Sequence, residues 1–274
     1  MDPPSIPIAL VIIAGAGAVA VLAMGVLRRI GRGPLLVDPS RGTSMATVVG
    51  SAFAILLAFM IIVAFQNYSG AKSAADSEGA STLEMFRTEA YFPAEQRDAA
   101  RADLVCYARA VAYSEWPAMR EDHTSPLVVP WINRWNDVFH RLDQRSPSER
   151  EAFSQLLMED DARTDAAVAR FREATPSVPS PLWFALIIGA CLAVALQLGM
   201  TDPRERFRVH GTMIAFLAAV LTAGLLVVNY LDHPYSGQAG SIKPTAMQFT
   251  LAAMKSIEPG PKPPCDASGR PVRS

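Results

Sequence analysis

Residues that could carry out chemistry are few in this chain, and their spacing matches no common catalytic motif. The histidines are His123, His140, His210 and His233, and none stands in a G-x-S-x-G or H-E-x-x-H context. The cysteines are Cys106, Cys191 and Cys265, which lack metal-like spacing and can form at most one disulfide. We therefore expect no enzyme activity, no catalytic residue and no cofactor.

Two acidic runs could ligate a divalent cation through their carboxylate oxygens. They are Glu121-Asp122-His123 and Glu159-Asp160-Asp161. An acidic surface in contact with water is the more ordinary explanation of such runs. We therefore expect no metal site.

One row of side chains could line a path for ions. Ser51, Ile55, Phe59, Ile62 and Gln66 follow helical spacing, with polar groups near both ends and an apolar middle. Such a row suits a pore that closes by dewetting. An ordinary packing face between helices is the alternative, and the spacing alone favours it.

Membrane-spanning helices are the elements that must position this row. Four windows carry no Lys, Arg, Asp or Glu: Pro3 to Leu27, Gly42 to Ala71, Ala174 to Thr201 and Gly211 to Leu231. Each has roughly 20 residues or more, enough to cross about 30 Å of hydrocarbon as a helix. The expected fold class is all-α, with four transmembrane helices and a helical extramembrane insert between helices 2 and 3.

The domain organisation follows from these windows. Residues 1–65 would hold helices 1 and 2 with a short Arg-rich loop, 66–181 the helical extramembrane domain, and 182–231 helices 3 and 4. Residues 232–274 would form a tail, in which Pro244 to Met254 lies along the membrane interface or docks on the helix bundle and the Pro- and Gly-rich end is disordered. Inside the insert, Ser146-Pro147-Ser148-Glu149 predicts a helix that starts with a capping box.

Charge bears on partners and on orientation. The whole chain has a net charge of −1, which argues against nucleic acid as a partner, whereas the lipid bilayer is an obligatory one. The loops between helices 1 and 2 and between 3 and 4 hold seven arginines: Arg28, Arg29, Arg32, Arg41, Arg204, Arg206 and Arg208. The opposite flanks hold four basic residues, so the positive-inside rule favours both termini and the central domain on the non-cytoplasmic side.

Small residues recur every fourth position in the predicted spans. Gly50, Ala54 and Ala58 form one such row, which lets helix backbones approach closely. If this row is buried against helices of the same chain, no pore-lining face is needed. If it is not, self-association into a homo-oligomer is favoured.

Several short segments together resemble one family. They are Ala64-Phe65-Gln66-Asn67-Tyr68, Glu115-Trp116-Pro117, Arg170-Phe171-Arg172, Pro179-Ser180-Pro181-Leu182-Trp183 and Leu231-Asp232-His233-Pro234-Tyr235-Ser236-Gly237. Their order and spacing resemble the bestrophin-like family of bacterial membrane proteins, in which Glu78 also matches an acidic residue that follows the second span.

The resemblance implies a multi-pass protein of the bacterial inner membrane and, through the distant true bestrophins, an oligomeric anion channel. True bestrophins keep the region between spans two and three in the cytoplasm, opposite to the orientation that the arginines favour. The insert carries 13 basic and 19 acidic residues, and this acidic excess is better suited to attracting cations than anions. A non-conducting scaffold or sensor, whose central domain binds another protein, is the alternative function.

Two roles are open for the last of these segments. His233 and Gly237 suit a turn in which the chain leaves the membrane, because the residue before Pro234 is biased toward extended backbone and glycine tolerates a positive φ. Asp232 could instead pair with a basic residue of the central domain or bind a cation at a pore mouth. We expect the turn.

Overall fold

The computed structural model describes residues 3–30, 39–121, 123–200, 206–257 and 262–272. Within these ranges the chain forms nine α-helices, a 3-10 turn over Glu89–Tyr91 and a π-helical turn over Val111–Glu115. The helices are α1 (Ile6–Arg29), α2 (Pro39–Thr88), α3 (Ala94–Ala110), α4 (Trp116–Met119), α5 (Val128–Phe139), α6 (Pro147–Arg172), α7 (Ser180–Gly199), α8 (Phe207–Asp232) and α9 (Thr245–Ile257). The predicted all-α class is confirmed, since the described residues contain no strand beyond an isolated bridge between Cys265 and Pro271.

The chain divides into two compact units. The four-helix unit comprises Met1–Tyr68, Pro176–His233 and Gln238–Gly240. The insert unit comprises Ser69–Thr175, Pro234–Gly237 and Ser241–Ser274. The described residues after Gly240 therefore belong with the insert, whereas the sequence predicted a separate tail.

The four-helix unit contains helices that are long and apolar enough to cross a membrane. They are α1, the apolar part of α2, α7 and α8, in agreement with the four predicted spans. Two loop arginines, Arg32 and Arg204, lie outside the described residues, as does the side chain of Arg41. The protein is thus a membrane protein by the length and composition of its helices.

Close helix packing in this unit depends on small residues. A Cβ on Gly189 of α7 would lie 2.5 Å from the ring of Phe53, and a Cβ on Gly224 of α8 would lie 2.7 Å from Leu57. Both contacts are with α2, and neither leaves room for a larger side chain. Backbone proximity of this kind is how apolar helices associate in lipid, where the hydrophobic effect does not drive them together.

The core of the insert unit is aromatic. Trp135 and Phe139 of α5 are buried beside Phe86, Leu104 and Leu156. The Phe139 ring stacks on that of Phe153 with centroids 4.4 Å apart. The sequence analysis did not predict α5.

Local sequence fixes where α6 begins. The Ser146 side chain accepts a hydrogen bond from the Glu149 N–H at 3.1 Å, and the Glu149 carboxylate accepts one from the Ser146 N–H at 2.8 Å. The predicted capping box is confirmed. The hydrogen bond from the Ser146 N–H is the main cause that lowers the pKa of the Glu149 carboxyl.

The structure differs from the prediction for the C-terminal residues. Residues 262–272 are held against α3 by a disulfide between Cys106 and Cys265, so they are not disordered as their Pro and Gly content predicted. Trp131 Nε1 also donates to the Gly269 carbonyl at 2.6 Å. Pro259, Gly260 and Pro261, which carried the same prediction, lie outside the described residues.

The charge-free run of the tail forms a helix. This helix, α9, packs on α3 within the insert unit. Met247 and Met254 of α9 are buried, and Thr250 donates to the carbonyl of Gly79 on α2 at 2.7 Å. An apolar helical face needs a partner surface, and here that surface is α2 and α3 of the insert unit.

Candidate functional site

The predicted row on α2 lies on the outer surface of the single chain. Ile55 is 72% exposed, Phe59 60% and Ile62 54%, and Ser51 and Gln66 are exposed as well. Contiguous exposed apolar side chains on a transmembrane helix must face lipid, another copy of the chain or a pore. The row therefore does not pack against other helices of the same chain.

The opposite face of α2 does the packing. Phe53, Met60 and Ala64 are buried against Leu186 of α7 and other residues of α7 and α8. These residues are offset from the exposed row around the helix. The structure thus divides α2 into a face that holds the four-helix unit together and a face that the chain leaves uncovered.

The small-residue row is also uncovered. Ala54 and Ala58 are exposed, and a Cβ added to Gly50 would meet nothing within 4 Å. The row does not pack against helices of its own chain. This is the arrangement that the sequence analysis linked to self-association.

A second cluster, in the insert unit, is centred on Arg170 of α6. Its side chain is fully buried and forms an ion pair with Glu78 of α2, in which Arg170 Nε donates to Glu78 Oε2 at 2.6 Å and Nη2 to Oε1 at 3.3 Å. Burial opposes the charge of Arg170, but Glu78, together with Tyr107 and Glu115, raises the pKa of the guanidinium above its ordinary value. The guanidinium also lies over the rings of Trp116 and Phe171, at 5.1 and 4.7 Å from their centroids.

The pair extends into a network through Tyr107 of α3. The Tyr107 hydroxyl donates to Glu78 Oε1 at 2.6 Å and accepts from Arg163 Nη1 at 3.2 Å. Arg163 in turn pairs with Asp160 at 2.6 Å. Burial, and then the Glu78 charge, raise the pKa of the Tyr107 hydroxyl far above its ordinary range, so it donates as a neutral phenol.

The Glu115-Trp116-Pro117 segment joins this cluster. Glu115 ends the π-helical turn and accepts a hydrogen bond from the Ser125 N–H at 2.8 Å. Trp116 Nε1 donates to the Ile242 carbonyl at 3.1 Å, and its ring meets that of Tyr235 edge to face. Pro117 lies in the first turn of α4, where its missing N–H costs no hydrogen bond.

Asp232 acts within the four-helix unit. Its Oδ1 accepts from the Ser177 N–H at 2.7 Å, from the Ser177 hydroxyl and from the Val178 N–H. It thereby ties the end of α8 to the residues that lead into α7. Within the described residues Asp232 forms no ion pair with a basic side chain, so the alternative role in pairing is not supported, and the predicted turn follows it.

The turn after Asp232 has the expected features. Gly237 has a φ of +77°, and a Cβ there would lie 2.9 Å from Arg120 Nε. The Pro234 carbonyl accepts from the Ile242 N–H at 2.8 Å, which closes the loop. His233 Nδ1 lies 3.0 Å from the Asn229 carbonyl. Glycine is therefore favoured at position 237 by its backbone conformation, and a larger residue would also displace the Arg120 side chain.

The acidic runs are engaged in local contacts. Glu159 accepts from Gln155 at 2.7 Å, and Asp160 pairs with Arg163. Glu121 contributes its carbonyl to His123 Nδ1 at 3.2 Å, whereas Asp122 lies outside the described residues.

Sequence reasoning missed two members of the insert cluster, Tyr107 and Arg163, and did not pair Cys106 with Cys265. An ionisable side chain that will be buried has the same letter in the sequence as one on the surface. Helical spacing does place Arg163 and Arg170 on one face of α6, seven residues apart, which was the available indication.

The arrangement as a whole defines a class: a multi-pass α-helical membrane protein whose second spanning helix leaves one face uncovered. The sequence profile of the Bestrophin-like domain matches residues 14–247. The chain belongs to this Bestrophin-like family, as its short segments suggested.

Solved structures share the fold. Two of them are crystal structures of variants of a bacterial bestrophin homologue from Klebsiella pneumoniae. The first is 12% identical to this chain with a TM-score of 0.67, and the match covers 91% of this chain and 97% of the homologue. The second is 13% identical with a TM-score of 0.66, and the match covers 90% of this chain and 98% of the homologue. A further crystal structure of a membrane protein is 14% identical with a TM-score of 0.67, at 97% and 100% coverage. Comparison with curated proteins gave no significant match.

The Glu78–Arg170 pair yields a first prediction. Glu78→Gln leaves the buried guanidinium without its carboxylate, so the free energy of unfolding should fall by about 3–5 kcal/mol, measured by thermal unfolding in detergent. Glu84→Gln, which breaks the exposed pair with Arg87, should cost less than about 1 kcal/mol. The double variant Glu78→Gln/Arg170→Met should lose less free energy of unfolding than the sum of the losses in the two single variants. A loss equal to that sum would contradict the pairing.

Glu115 yields a prediction about pH. Burial is the main cause that raises the pKa of its carboxyl above the ordinary value. The folded state therefore binds this proton more tightly than the unfolded state does. As a consequence, the free energy of unfolding falls as pH rises through the folded pKa. Glu115→Gln removes this loss while keeping an acceptor for the Ser125 N–H. The difference in Tm, variant minus wild type, should therefore increase as pH rises from 4 upward; a difference that is flat or decreasing would show that Glu115 is not held in this way.

Proposed function

We propose that this protein is an oligomeric ion channel, and not an enzyme, in which copies of the exposed α2 row line a central pore. The observation that carries the proposal is that Ile55, Phe59 and Ile62 are uncovered on a helix whose opposite face packs on α7 and α8. Membership of the Bestrophin-like family supports it. The lining residues would be Ser51, Ile55, Phe59, Ile62 and Gln66.

The chemistry of the row is that of a gate. Three successive apolar positions would form rings in an oligomer, and a narrow apolar ring expels water and thereby stops ions. Ser51 and Gln66 would place polar groups at the two ends of this constriction. No member of the row is charged, so the constriction itself would not select ions by sign.

Neighbouring copies have a surface on which to meet. The row of Gly50, Ala54 and Ala58 presents backbone and methyl groups with nothing packed on them, and small residues at this spacing allow close helix association in lipid. Two adjacent faces of one helix would then have two roles, the small residues against a neighbour and the apolar row toward the axis.

The sign of the ion is a separate part of the proposal. The resemblance to bestrophins implies anions, whereas the insert has 13 basic and 19 acidic residues and a field of that sign concentrates cations. Flux measured with halides and with alkali cations decides between them.

We further propose that the insert unit lies on the non-cytoplasmic side of the inner membrane. Two independent features support this orientation. The arginines are concentrated in the loops on the opposite side, and the insert unit contains the Cys106–Cys265 disulfide, a bond that persists in the periplasm and is rare in the reducing cytosol.

The pore proposal predicts that shortening the gate residues changes conduction. Ile55→Ala and Phe59→Ala should each increase ion flux into proteoliposomes, because a wider and less apolar ring holds water more easily. Phe216→Ala on α8, where the ring is 73% exposed, is the matched control and should leave flux unchanged. If the wild type conducts neither halides nor alkali cations, the channel is excluded and the protein-binding scaffold is the better account.

The orientation predicts from which side of the membrane an introduced cysteine is labelled. In spheroplasts of a Cys191→Ser variant, an impermeant maleimide should label a cysteine introduced as Arg145→Cys, a position of the insert unit whose side chain is exposed. A cysteine introduced as Arg206→Cys, in a variant without other cysteines, should be labelled only after permeabilisation. The reverse pattern would place the insert unit in the cytoplasm.

A further inference from the structure

A groove in the insert unit has no role in the function proposed above. It runs between α3 and α9 and has a volume of about 740 Å³, which lies within the range of ~300–1,000 Å³ for small-molecule sites. All of its lining residues belong to the insert unit. The groove therefore lies entirely within one compact unit.

The walls of the groove are apolar along most of their length. Val105 of α3, Leu251 and Met254 of α9, and Phe86 of α2 are among the residues that line it. Surfaces of this kind bind hydrocarbon by removing it from water, at roughly 25 cal/mol for each Å² that becomes buried.

The charges on the groove are all positive. Arg101, Arg109 and Lys255 line it, and no carboxylate is among its lining residues in the described part of the chain. Lys255 is exposed and has no hydrogen bond or ion pair with any described residue. An anionic head group would therefore meet a cation whose hydrogen-bond donors are unused by the described residues.

Arg109 also retains donors. Its hydrogen bonds to described residues all come from Nη1, which donates to the Cys265 carbonyl at 3.1 Å and to the Asp266 carbonyl at 3.2 Å. Nε and Nη2 remain for a ligand. The contacts of Nη1 hold the side chain in place, so less side-chain entropy is lost when a ligand binds.

The disulfide-linked tail forms the third wall. Pro263 and Ala267 line the groove beside the Cys265 bond to α3. Gly269 has a φ of +81° and lies so close to α3 that a Cβ would be 2.5 Å from the Ala110 nitrogen. This wall is thus fixed in position by a covalent bond and by a contact that only glycine permits.

We propose that the groove binds an amphiphile that has a single hydrocarbon chain and an anionic head, namely a free long-chain carboxylate. The chain lies along Val105 and Leu251, and the carboxylate accepts hydrogen bonds from Lys255 and Arg109. A neutral amphiphile would gain the apolar contacts but not the charge-assisted hydrogen bonds. The proposal does not depend on whether the protein conducts ions.

The test is binding of laurate and dodecanol to the full chain in zwitterionic lipid nanodiscs, measured by displacement of a fluorescent fatty acid and corrected with empty discs. Wild type should bind laurate at least about tenfold more tightly than dodecanol, since hydrogen bonds to charged groups are the stronger ones. Lys255→Met should weaken laurate binding by about tenfold. The control Lys243→Met, another exposed lysine of the insert unit, should leave it unchanged.

A second variant places a negative charge in the groove. Ala252 is exposed and lines the groove, so Ala252→Glu should fold normally and weaken laurate binding more than dodecanol binding. Equal affinity for laurate and dodecanol, wild-type affinity in Lys255→Met or Ala252→Glu, or absence of laurate binding to wild type would each overturn the proposal. Loss of laurate binding in discs made with phosphatidylglycerol would also overturn it, because the occupant would then be a bilayer lipid.

Discussion

Arg170 carries a positive charge at a position that water does not reach. The effective cost of burying such an ion is several kcal/mol unless partners replace its hydration. Here Glu78 supplies the countercharge, Trp116 and Phe171 supply aromatic faces, and Tyr107 completes the hydrogen bonds of Glu78. Four separate stretches of the sequence must therefore come together before the charge is stable, and the insert unit is organised around this requirement.

The same helix, α2, contributes to both units in different ways. In the insert unit it provides Glu78 to the buried pair, whereas in the four-helix unit it provides one packed face and one uncovered face. Because Phe53 and Met60 are tightly packed, the chain itself determines which side of α2 remains exposed. In the account proposed here, that uncovered side is completed by other copies of the chain.

Much of the fold could be predicted because its physical causes are local. Uninterrupted apolar stretches must become helices in lipid, and the Ser146–Glu149 capping box is a local hydrogen-bond pattern. Both predictions were therefore confirmed.

Other parts of the fold could not be predicted in this way. Helix α5 was missed, although Trp131, Trp135 and Phe139 recur every fourth residue, because Pro130 at its start interrupts a short pattern. The tail was predicted to be disordered because of its Pro and Gly content. Composition carries no information about a disulfide between cysteines that are 159 residues apart. The α2 row was identified by spacing, but only three-dimensional packing distinguishes an uncovered row from a buried one.

The central claim is that the uncovered face of α2 is completed by identical neighbours around an axis. The most direct test is the stoichiometry of the purified protein, measured by native mass spectrometry or from the symmetry of single-particle class averages. The account predicts a closed ring of several copies, with α2 nearest the axis. A monomer, or a dimer with two-fold symmetry that buries the α2 row, would contradict it.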